Sequence, residues 1–385
     1  RNKVYSAINI TGLSLGLACA MLIILYTSDE LSYDRFHTNT DHIYRITSNR
    51  VTPDGSIEYK STSSGIFQGP RFLSNIPEIK SFVRMQGTRR DFKLGNEIVS
   101  RELFAVDPAF FSIFSFPLKA GDAKTALNNP QSIVISENVA KEYFGNSNAM
   151  GKIIEIKKGD AFEPYIVTGI APESPQNSSI RFDMLLPLVV TDKAMQDNDN
   201  WLNFHLNTFI LLSDKADKAA VERKMSQVFN REAGDALKEF WEAMGNKSTF
   251  VQMLQPLRKL HLDTEYQANN GLKGASDPIY SYILSGIALF ILLIACINFV
   301  NLTIARSLKR AKEIGIRKVV GGERKQLIIQ FLGESFMLCA AAFLLAILFV
   351  QLALPKFNEL SNKALALSYL FDTRLVAGFI VLFVL

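Results

Sequence analysis

Long apolar runs without charge constrain this chain more than any other feature. No charged residue occurs from Val4 to Ser28, from Pro278 to Ala305, or from Ser335 to Pro355. A helix needs ~20 apolar residues to cross the hydrocarbon core of a bilayer, and each run is that long. A shorter apolar run extends from Leu375 to Leu385. The sequence therefore predicts a membrane protein with three spans and the start of a fourth.

A basic segment between the second and third runs predicts the orientation. From Arg306 to Lys325, eight basic residues stand against two acidic ones, an excess of six charges in a chain whose net charge is only +5. Charge spread over a surface would indicate a nucleic-acid partner, but basic charge confined to one short loop between spans is typical of the cytoplasmic side. We predict no nucleic-acid partner, a cytoplasmic basic segment, and residues 29–277 outside.

These features divide the chain into segments. The first transmembrane helix is predicted over 4–28, an exported domain over 29–277, the second transmembrane helix over 278–305, a cytoplasmic segment over 306–333, the third transmembrane helix over 334–355, an outer loop over 356–374, and the truncated fourth helix over 375–385. Because the chain starts at Arg1 and stops inside an apolar run, we expect it to be a fragment of a longer protein.

The first run is interpreted as a membrane helix and not as a cleaved signal peptide, because its apolar residues continue through Leu25. Cys19 lies in the middle of the run, whereas a lipid-modified cysteine should end it. Gly12 and Gly16 form a small-xxx-small pair, which lets another helix approach closely. We predict that these two glycines form a helix-packing site.

Catalytic and metal-binding patterns are not found in the sequence. The stretch from Gly145 to Lys152 resembles a phosphate-binding loop, but five residues separate its glycines, and Ile153 stands where Ser or Thr must reach the magnesium ion. We interpret it as a turn. The histidines, which we expect to be surface or structural side chains, show no metal-ligand spacing: His37, His42, His205 and His261. We therefore predict no enzymatic activity, metal or cofactor in this chain.

Cysteine usage and residue patterns outside the membrane favour an α+β domain without disulfides. The cysteines all lie in predicted spans: Cys19, Cys296 and Cys339. Strands are predicted over 43–51, 132–136, 152–156, 165–170, 208–212 and 250–255. One helix follows Ser136 as N-cap and ends at Gly145, and another covers 219–231. The strand, helix, strand order appears twice, which favours a duplicated unit with an insertion.

The basic segment allows two interpretations. A helical spacing continues past Ala305, Gly321–Gly322 breaks it, and Glu323 begins the next helix. The segment would serve either as an orienting loop that binds lipid headgroups or as a docking element for a cytoplasmic protein, with apolar side chains such as Ile316 set beside Arg317. The residues themselves leave both open.

A family resemblance favours the docking element. The stretch Glu313–Gly321, followed by Gln326–Ser335, resembles the cytoplasmic signature of MacB/FtsX-type ABC transporter permeases. Further ordered resemblances to that family, in particular to its large Bacteroidetes-type members, lie at Tyr33–His37, Ile43–Arg45, Val134–Ser136, Tyr143–Gly145, Val167–Gly169, Asn177–Ser178 and Asn298–Asn301. The resemblance covers nearly the whole chain, which would then be the first half of a permease.

This resemblance implies a fold, a location and partners. Residues 29–277 would form a periplasmic core domain of porter-like and Sabre-like subdomains in a multi-pass protein of the bacterial inner membrane. A cytoplasmic ABC ATPase subunit would bind ATP and magnesium, a second permease half would complete a homo- or pseudo-dimer, and a periplasmic adaptor is a further partner. The coupling residues it implies are Glu313, Ile314, Gly315, Ile316, Arg317 and Lys318. The alternatives are a transmembrane sensor and a cell-division regulator.

Overall fold

A computed structural model of the chain describes residues 3–245, 247–319 and 324–368. The chain separates into two compact units, which we call the membrane unit (Arg1–Leu31 and Pro278–Leu385) and the ectodomain (Ser32–Asp277). Each is described on its own. The predicted fourth helix, 375–385, lies outside the described residues.

Helices and strands alternate along the ectodomain, and long helices flank it. The helices are α1 (Lys3–Leu31), α2 (Gln68–Asn75), α3 (Phe110–Ile113), α4 (Glu137–Phe144), α5 (Asp192–Gln196), α6 (Lys218–Glu232), α7 (Gly234–Met244), α8 (Pro278–Val319) and α9 (Arg324–Ser361). The strands are β1 (Ile43–Val51), β2 (Ile57–Ser61), β3 (Ile79–Leu94), β4 (Glu97–Val106), β5 (Ala120–Gly121), β6 (Ser132–Ser136), β7 (Ile153–Lys158), β8 (Ala161–Ala171), β9 (Met184–Pro187), β10 (Asn207–Leu212) and β11 (Thr249–Pro256).

The membrane unit consists of the long helices α1, α8 and α9. Within the described part of the chain, three segments are long and apolar enough to cross a membrane: Ala7–Leu31, Pro278–Ala305 and Ile328–Ser361. The fold class predicted from the sequence, membrane helices with a large α+β domain between the first two, is confirmed.

The end of the third helix differs from the prediction. The sequence places the end of the span at Pro355 and a loop from 356, whereas α9 continues through Pro355 to Ser361. A proline removes one backbone donor from a helix but does not have to end it, and such prolines are tolerated in membrane helices. The predicted outer loop therefore loses its first residues to α9.

In the membrane unit, α1 and α9 contribute side chains to one apolar cluster. Four residues of α1 spaced by four positions are buried in one apolar cluster: Leu13, Leu17, Met21 and Leu25. The same cluster contains a matching series from α9: Ala342, Ala346, Val350 and Leu354. Residues four apart lie on one face of a helix, so α1 and α9 pack along these two rows.

The ectodomain is built on one mixed sheet. Its strand order is β11-β1-β10-β3-β4-β9-β6-β8-β5, with β2 paired to β1 and β7 paired to both β3 and β8. Most neighbours are antiparallel, but β4 and β9 are parallel, and so are β6 and β8. The two predicted strand, helix, strand units are arranged differently in the sheet. In the first unit β6 and β8 are neighbours, whereas in the second unit β1 lies between β10 and β11.

Several predicted elements are confirmed. Ser136 caps α4 by accepting a hydrogen bond from the Val139 N–H at 3.3 Å, and Gly145 ends the helix with φ of 60°. Helix α6 buries the side chains that the helical spacing singles out: Val221, Met225, Val228 and Phe229. The stretch from Gly145 to Lys152 is a turn between α4 and β7, as predicted, and Lys152 Nζ lies 4.9 Å from the centre of the Phe144 ring.

Helices α1 and α8 approach more closely at Gly16 than at Gly12. A Cβ atom placed on Gly16 would lie 2.6 Å from the Cβ of Ala295, closer than two carbon atoms can pack. A Cβ placed on Gly12 would lie 3.7 Å from Asn298 Nδ2, which is ordinary contact. The two glycines of the small-xxx-small pair therefore differ in how much space they have.

We predict that Gly16→Ala destabilises the chain and that Gly12→Ala does not. The added methyl group at position 16 forces α1 and α8 apart, at a cost of about 1–3 kcal/mol. Both substitutions gain the same helix propensity, so Gly12→Ala is a matched control. The measurement is the free energy of unfolding of the purified chain in detergent. Equal stability of the two variants would contradict the close packing at Gly16.

Candidate functional site

Helix α8 is continuous from the ectodomain side to the basic segment. It extends without a break from Pro278 to Val319, 14 residues beyond Ala305, where the apolar run ends. At ~1.5 Å per residue this extension is about 20 Å long. A continuous helix of this length can carry a displacement from one end to the other.

The predicted coupling residues lie on this extension of α8. Ile316 is exposed there. The surroundings of the other members of the set lie outside the described residues: Glu313, Ile314, Gly315, Arg317 and Lys318. The predicted break at Gly321–Gly322 also lies outside them.

The residues that follow α1, which we call the N-terminal connection (residues 32–38), are anchored in the ectodomain by a buried aspartate. Asp34 is fully buried and has φ of 57°, a left-handed conformation that Asp and Asn adopt more easily than most residues. Its Oδ1 accepts a hydrogen bond from the Ser179 N–H at 2.8 Å, and its own N–H donates to the Asn177 carbonyl at 2.9 Å. Asn177 Nδ2 in turn donates to Ser32 Oγ at 2.8 Å.

Aromatic stacking joins the N-terminal connection to a second part of the ectodomain. The Tyr33 and His261 rings are stacked, with centres 3.3 Å apart and planes 4° from parallel. The His261 carbonyl accepts a hydrogen bond from the Ser276 N–H at 2.7 Å. Ser276 lies two residues before Pro278, where α8 begins. The segments that lead from α1 and into α8 are therefore both held at His261.

The residues that precede α8, the C-terminal connection (residues 263–277), are held by a buried arginine. Arg45 of β1 is fully buried. Its Nη2 donates to the carbonyls of Tyr266 and Gln267 at 2.8 and 3.1 Å, and its Nε donates to Gln255 Oε1 at 2.8 Å. The planar guanidinium fixes several acceptors at once, which a lysine ammonium cannot do with the same geometry.

Burial shifts the pKa of two groups in the N-terminal connection. Loss of hydration raises the pKa of Asp34 to about 6, although the hydrogen bonds from Ser179 and Ser178 and the charge of His261 lower it. Burial also lowers the pKa of His37 to about 4, so this imidazole is neutral at pH 7. His37 Nδ1 accepts a hydrogen bond from the Ser115 N–H at 3.0 Å. His37 and His261 are thus structural side chains.

A cluster of one basic and two acidic side chains lies within the membrane unit at the end of α1. The ammonium group of Lys363, in the turn after α9, lies 2.5 Å from a carboxylate oxygen of Asp29 and 2.5 Å from one of Glu30. The three side chains are only 9, 8 and 2 % exposed, respectively. More than 330 residues separate Lys363 from these two partners. No pattern in the sequence indicates that they pair.

Within residues 3–245, 247–319 and 324–368, no three His, Cys, Asp or Glu side chains are grouped so that they could hold a metal ion.

Two family models match the chain. The model of the MacB-like periplasmic core domain matches residues 6–228, more than half of the chain. The model of the FtsX-like permease C-terminal region matches residues 285–385. The chain belongs to the MacB/FtsX-type permease family. The first model begins inside α1, and the second covers most of α8 and all of α9.

Relatives of this permease include longer proteins. The macrolide export ATP-binding/permease protein MacB of Bdellovibrio bacteriovorus is 27 % identical over 225 residues, which cover 56 % of this chain and 29 % of the relative. The MacB of Salmonella paratyphi A is 21 % identical over 396 residues, which cover 97 % of this chain and 55 % of the relative. The permease chain thus spans about half or less of the length of these relatives.

Two solved structures are also similar to part of this chain. A domain of a permease protein from Porphyromonas gingivalis has a TM-score of 0.49 and 19 % identity, covering 64 % of this chain and 98 % of that one. The periplasmic region of MacB from Actinobacillus actinomycetemcomitans has a TM-score of 0.35 and 16 % identity, covering 56 % and 89 %. The family assignment rests on the sequence matches and not on these likenesses.

We predict that Lys363→Met destabilises this MacB/FtsX-type permease by about 3–5 kcal/mol, because two buried carboxylates lose the cation that they share. Lys356→Met is the matched control. Lys356 pairs with Glu359, but both side chains are 69 % exposed, so we expect a change of less than about 1 kcal/mol. The measurement is unfolding of the purified chain in detergent, and similar losses for both variants would contradict the role of the buried pair.

The raised pKa of Asp34 predicts a pH dependence of stability. The folded chain binds a proton at this carboxyl at a higher pH than the unfolded chain, so Asp34 makes the chain more stable as the pH falls from 7 towards 4. The shift to about 6 corresponds to at most about 3 kcal/mol. Asp34→Asn removes this contribution and keeps an acceptor for the Ser179 N–H.

We therefore expect Asp34→Asn to be at least as stable as the parent at pH 7 and to lose this advantage towards pH 4. The difference between parent and variant in free energy of unfolding, measured from pH 4 to 8, isolates Asp34 from His37 and other groups. Compared with Asp34→Asn, Asp34→Ala also removes the acceptor and should be about 1–3 kcal/mol less stable at every pH. A difference between parent and Asn variant that does not change with pH would show that Asp34 is not responsible.

Proposed function

We propose that this chain is the permease subunit of an ABC transporter of MacB/FtsX type, in which ATP binding by a separate ATPase subunit rearranges the ectodomain. The observation that carries the proposal is the continuity of α8 from Pro278 to Val319. The helix joins the predicted coupling residues to the C-terminal connection without a flexible break. The match of residues 285–385 to the FtsX-like permease model supports this function over a sensor.

The contacts of the ectodomain support a mechanical mechanism. The ATPase subunit presses on the coupling residues Glu313–Lys318 and displaces α8 along its length. The displacement reaches the C-terminal connection, which Arg45 and the His261 carbonyl hold. The N-terminal connection is bound to the same place through the stack of Tyr33 on His261, so the ectodomain receives both helices at one group of residues.

The proposed mechanism also implies which partners this chain has. The ATPase subunit binds ATP and magnesium, and this chain contributes neither a cofactor nor a catalytic residue. A second permease half forms a homo- or pseudo-dimer with this one in the bacterial inner membrane, and a periplasmic adaptor receives the substrate. The relatives carry the name of macrolide exporters. For this chain we propose export or extraction of a substrate from the outer side of the membrane.

A double substitution in the coupling segment tests the proposal. We expect Glu313→Ala with Arg317→Ala to reduce the amount of ABC ATPase that copurifies with the permease from native membranes at least tenfold, because charged residues at the centre of an interface contribute about 2 kcal/mol or more. ATP turnover of the purified complex falls with it. The ATPase is quantified by mass spectrometry of peptides that carry its nucleotide-binding motif.

The matched control is Lys356→Ala with Glu359→Ala. It also replaces one acid and one base by alanine, but at the opposite end of the membrane unit's helices, where both side chains are exposed. The control should retain the ATPase. Unchanged ATPase binding and turnover in the Glu313/Arg317 variant would refute the coupling assignment.

A further inference from the structure

A cavity of about 540 Å³ opens in the ectodomain. Its walls come from β3 at Gly87–Arg89, from β4 at Glu102–Phe104, from the loop that contains Glu173, and from the C-terminal connection at Gly271 and Lys273. This volume lies within the ~300–1,000 Å³ typical of small-ligand sites.

The lining of the cavity carries both signs of charge. Among the described residues that line it, three are basic and three are acidic: Arg89, Arg181, Lys273, Glu102, Glu173 and Asp183. None of the six forms an ion pair within 4.0 Å with a residue that the structure describes, although the ectodomain surface has many such pairs. Opposite charges that face one cavity without pairing are available to a ligand.

Arg181 is only partly exposed, and Asp183 is exposed at the surface but partly dehydrated by its neighbours. Arg181 Nε is buried without a hydrogen-bond partner in the described part of the chain, and its Nη2 lies 3.4 Å from the Tyr33 hydroxyl. Burial and the nearby Glu173 raise the pKa of Asp183. A charged group that is partly dehydrated in a cleft gains more from a ligand of opposite charge than an exposed group does.

Apolar side chains complete the lining. Phe104 and Phe182 are buried residues of the lining that belong to one core cluster, whereas the buried Leu103 packs into the cluster on the other face of β4. The wall is tight where two backbones meet: the Gly87 N–H donates to the Asn270 carbonyl at 2.9 Å, and a Cβ on Gly87 would lie 2.6 Å from that oxygen. The cavity therefore offers a firm apolar floor and a charged rim.

We propose that this cavity binds small zwitterionic ligands of the peptide class, with a carboxylate on the arginine and lysine side chains and an ammonium group on the carboxylates. A ligand with a single sign of charge would place that charge among three like-charged groups. A ligand of two to four amino-acid residues carries both charges, hydrogen-bonding backbone groups and an apolar side chain for the floor.

Lys273 connects the cavity to the segment that leads into α8. Its N–H donates to the Ser179 carbonyl at 2.9 Å, and the Ser179 N–H is the donor to Asp34. Lys273 also lies five residues before Pro278, where α8 begins. A ligand carboxylate on Lys273 thus contacts the segment that leads into α8.

Binding can be measured on the permease chain alone in nanodiscs, so the result does not depend on the ATPase or on the proposed coupling. The probes are Ala-X-Ala tripeptides, with Phe, Leu, Lys or Glu at X, each with free termini or with an acetylated N-terminus and an amidated C-terminus. Saturation-transfer NMR should detect the free peptides and not the capped ones. Hydrogen exchange of residues 271–276 should slow when a free peptide is bound.

Matched substitutions locate the site. Arg89→Gln and Glu102→Gln should each weaken binding at least tenfold, because each removes one charged hydrogen-bonding group. Arg90→Gln and Glu97→Gln should leave binding unchanged, since neither side chain is among those that line the cavity. The proposal is overturned if no free tripeptide binds at millimolar concentration, if capped peptides bind equally well, if the two pairs of variants behave alike, or if residues 271–276 gain no protection.

Discussion

In the hydrocarbon core of a membrane, every backbone N–H and C=O must form its hydrogen bond within the chain. The rest of this structure depends on that constraint. A helix meets that demand alone, so the apolar runs become continuous helices. The same demand keeps α8 helical from Pro278 to Ala305, and the helix continues without a break to Val319. Stiffness is what allows one end of a helix to act on the other, and the proposed function follows from it.

The ectodomain is attached to those helices through a few buried polar and aromatic groups. Asp34, Tyr33 and His261 hold the segment after α1, while Arg45 holds the segment before α8. Removing the partner of a buried polar group is costly, so each of these hydrogen bonds favours one arrangement of the two segments. In the proposed function, this attachment transmits the displacement of α8 to the ectodomain. The proposed peptide site lies beside it, at Lys273.

Local residue patterns were sufficient for much of the fold. Ser136 begins α4 and Gly145 ends it, because a side-chain cap and a glycine with positive φ act within a few residues. The β3–β4 hairpin was missed, although it forms a long arm of the sheet. Its strands carry many charged residues and lack the clean alternation that indicates a half-buried strand. Helix α7 was missed as well.

The sequence by itself determined the membrane class, the α+β character of the ectodomain and, through its motifs, the family, because each depends on composition or on neighbours close in the chain. The orientation read from the basic segment stays a prediction. Only the tertiary structure decided which groups meet: Lys363 with Asp29 and Glu30, Tyr33 with His261, Gly16 with Ala295, and the six charges around the cavity. These contacts join residues tens to hundreds of positions apart. Packing brings them together, and no local periodicity encodes it.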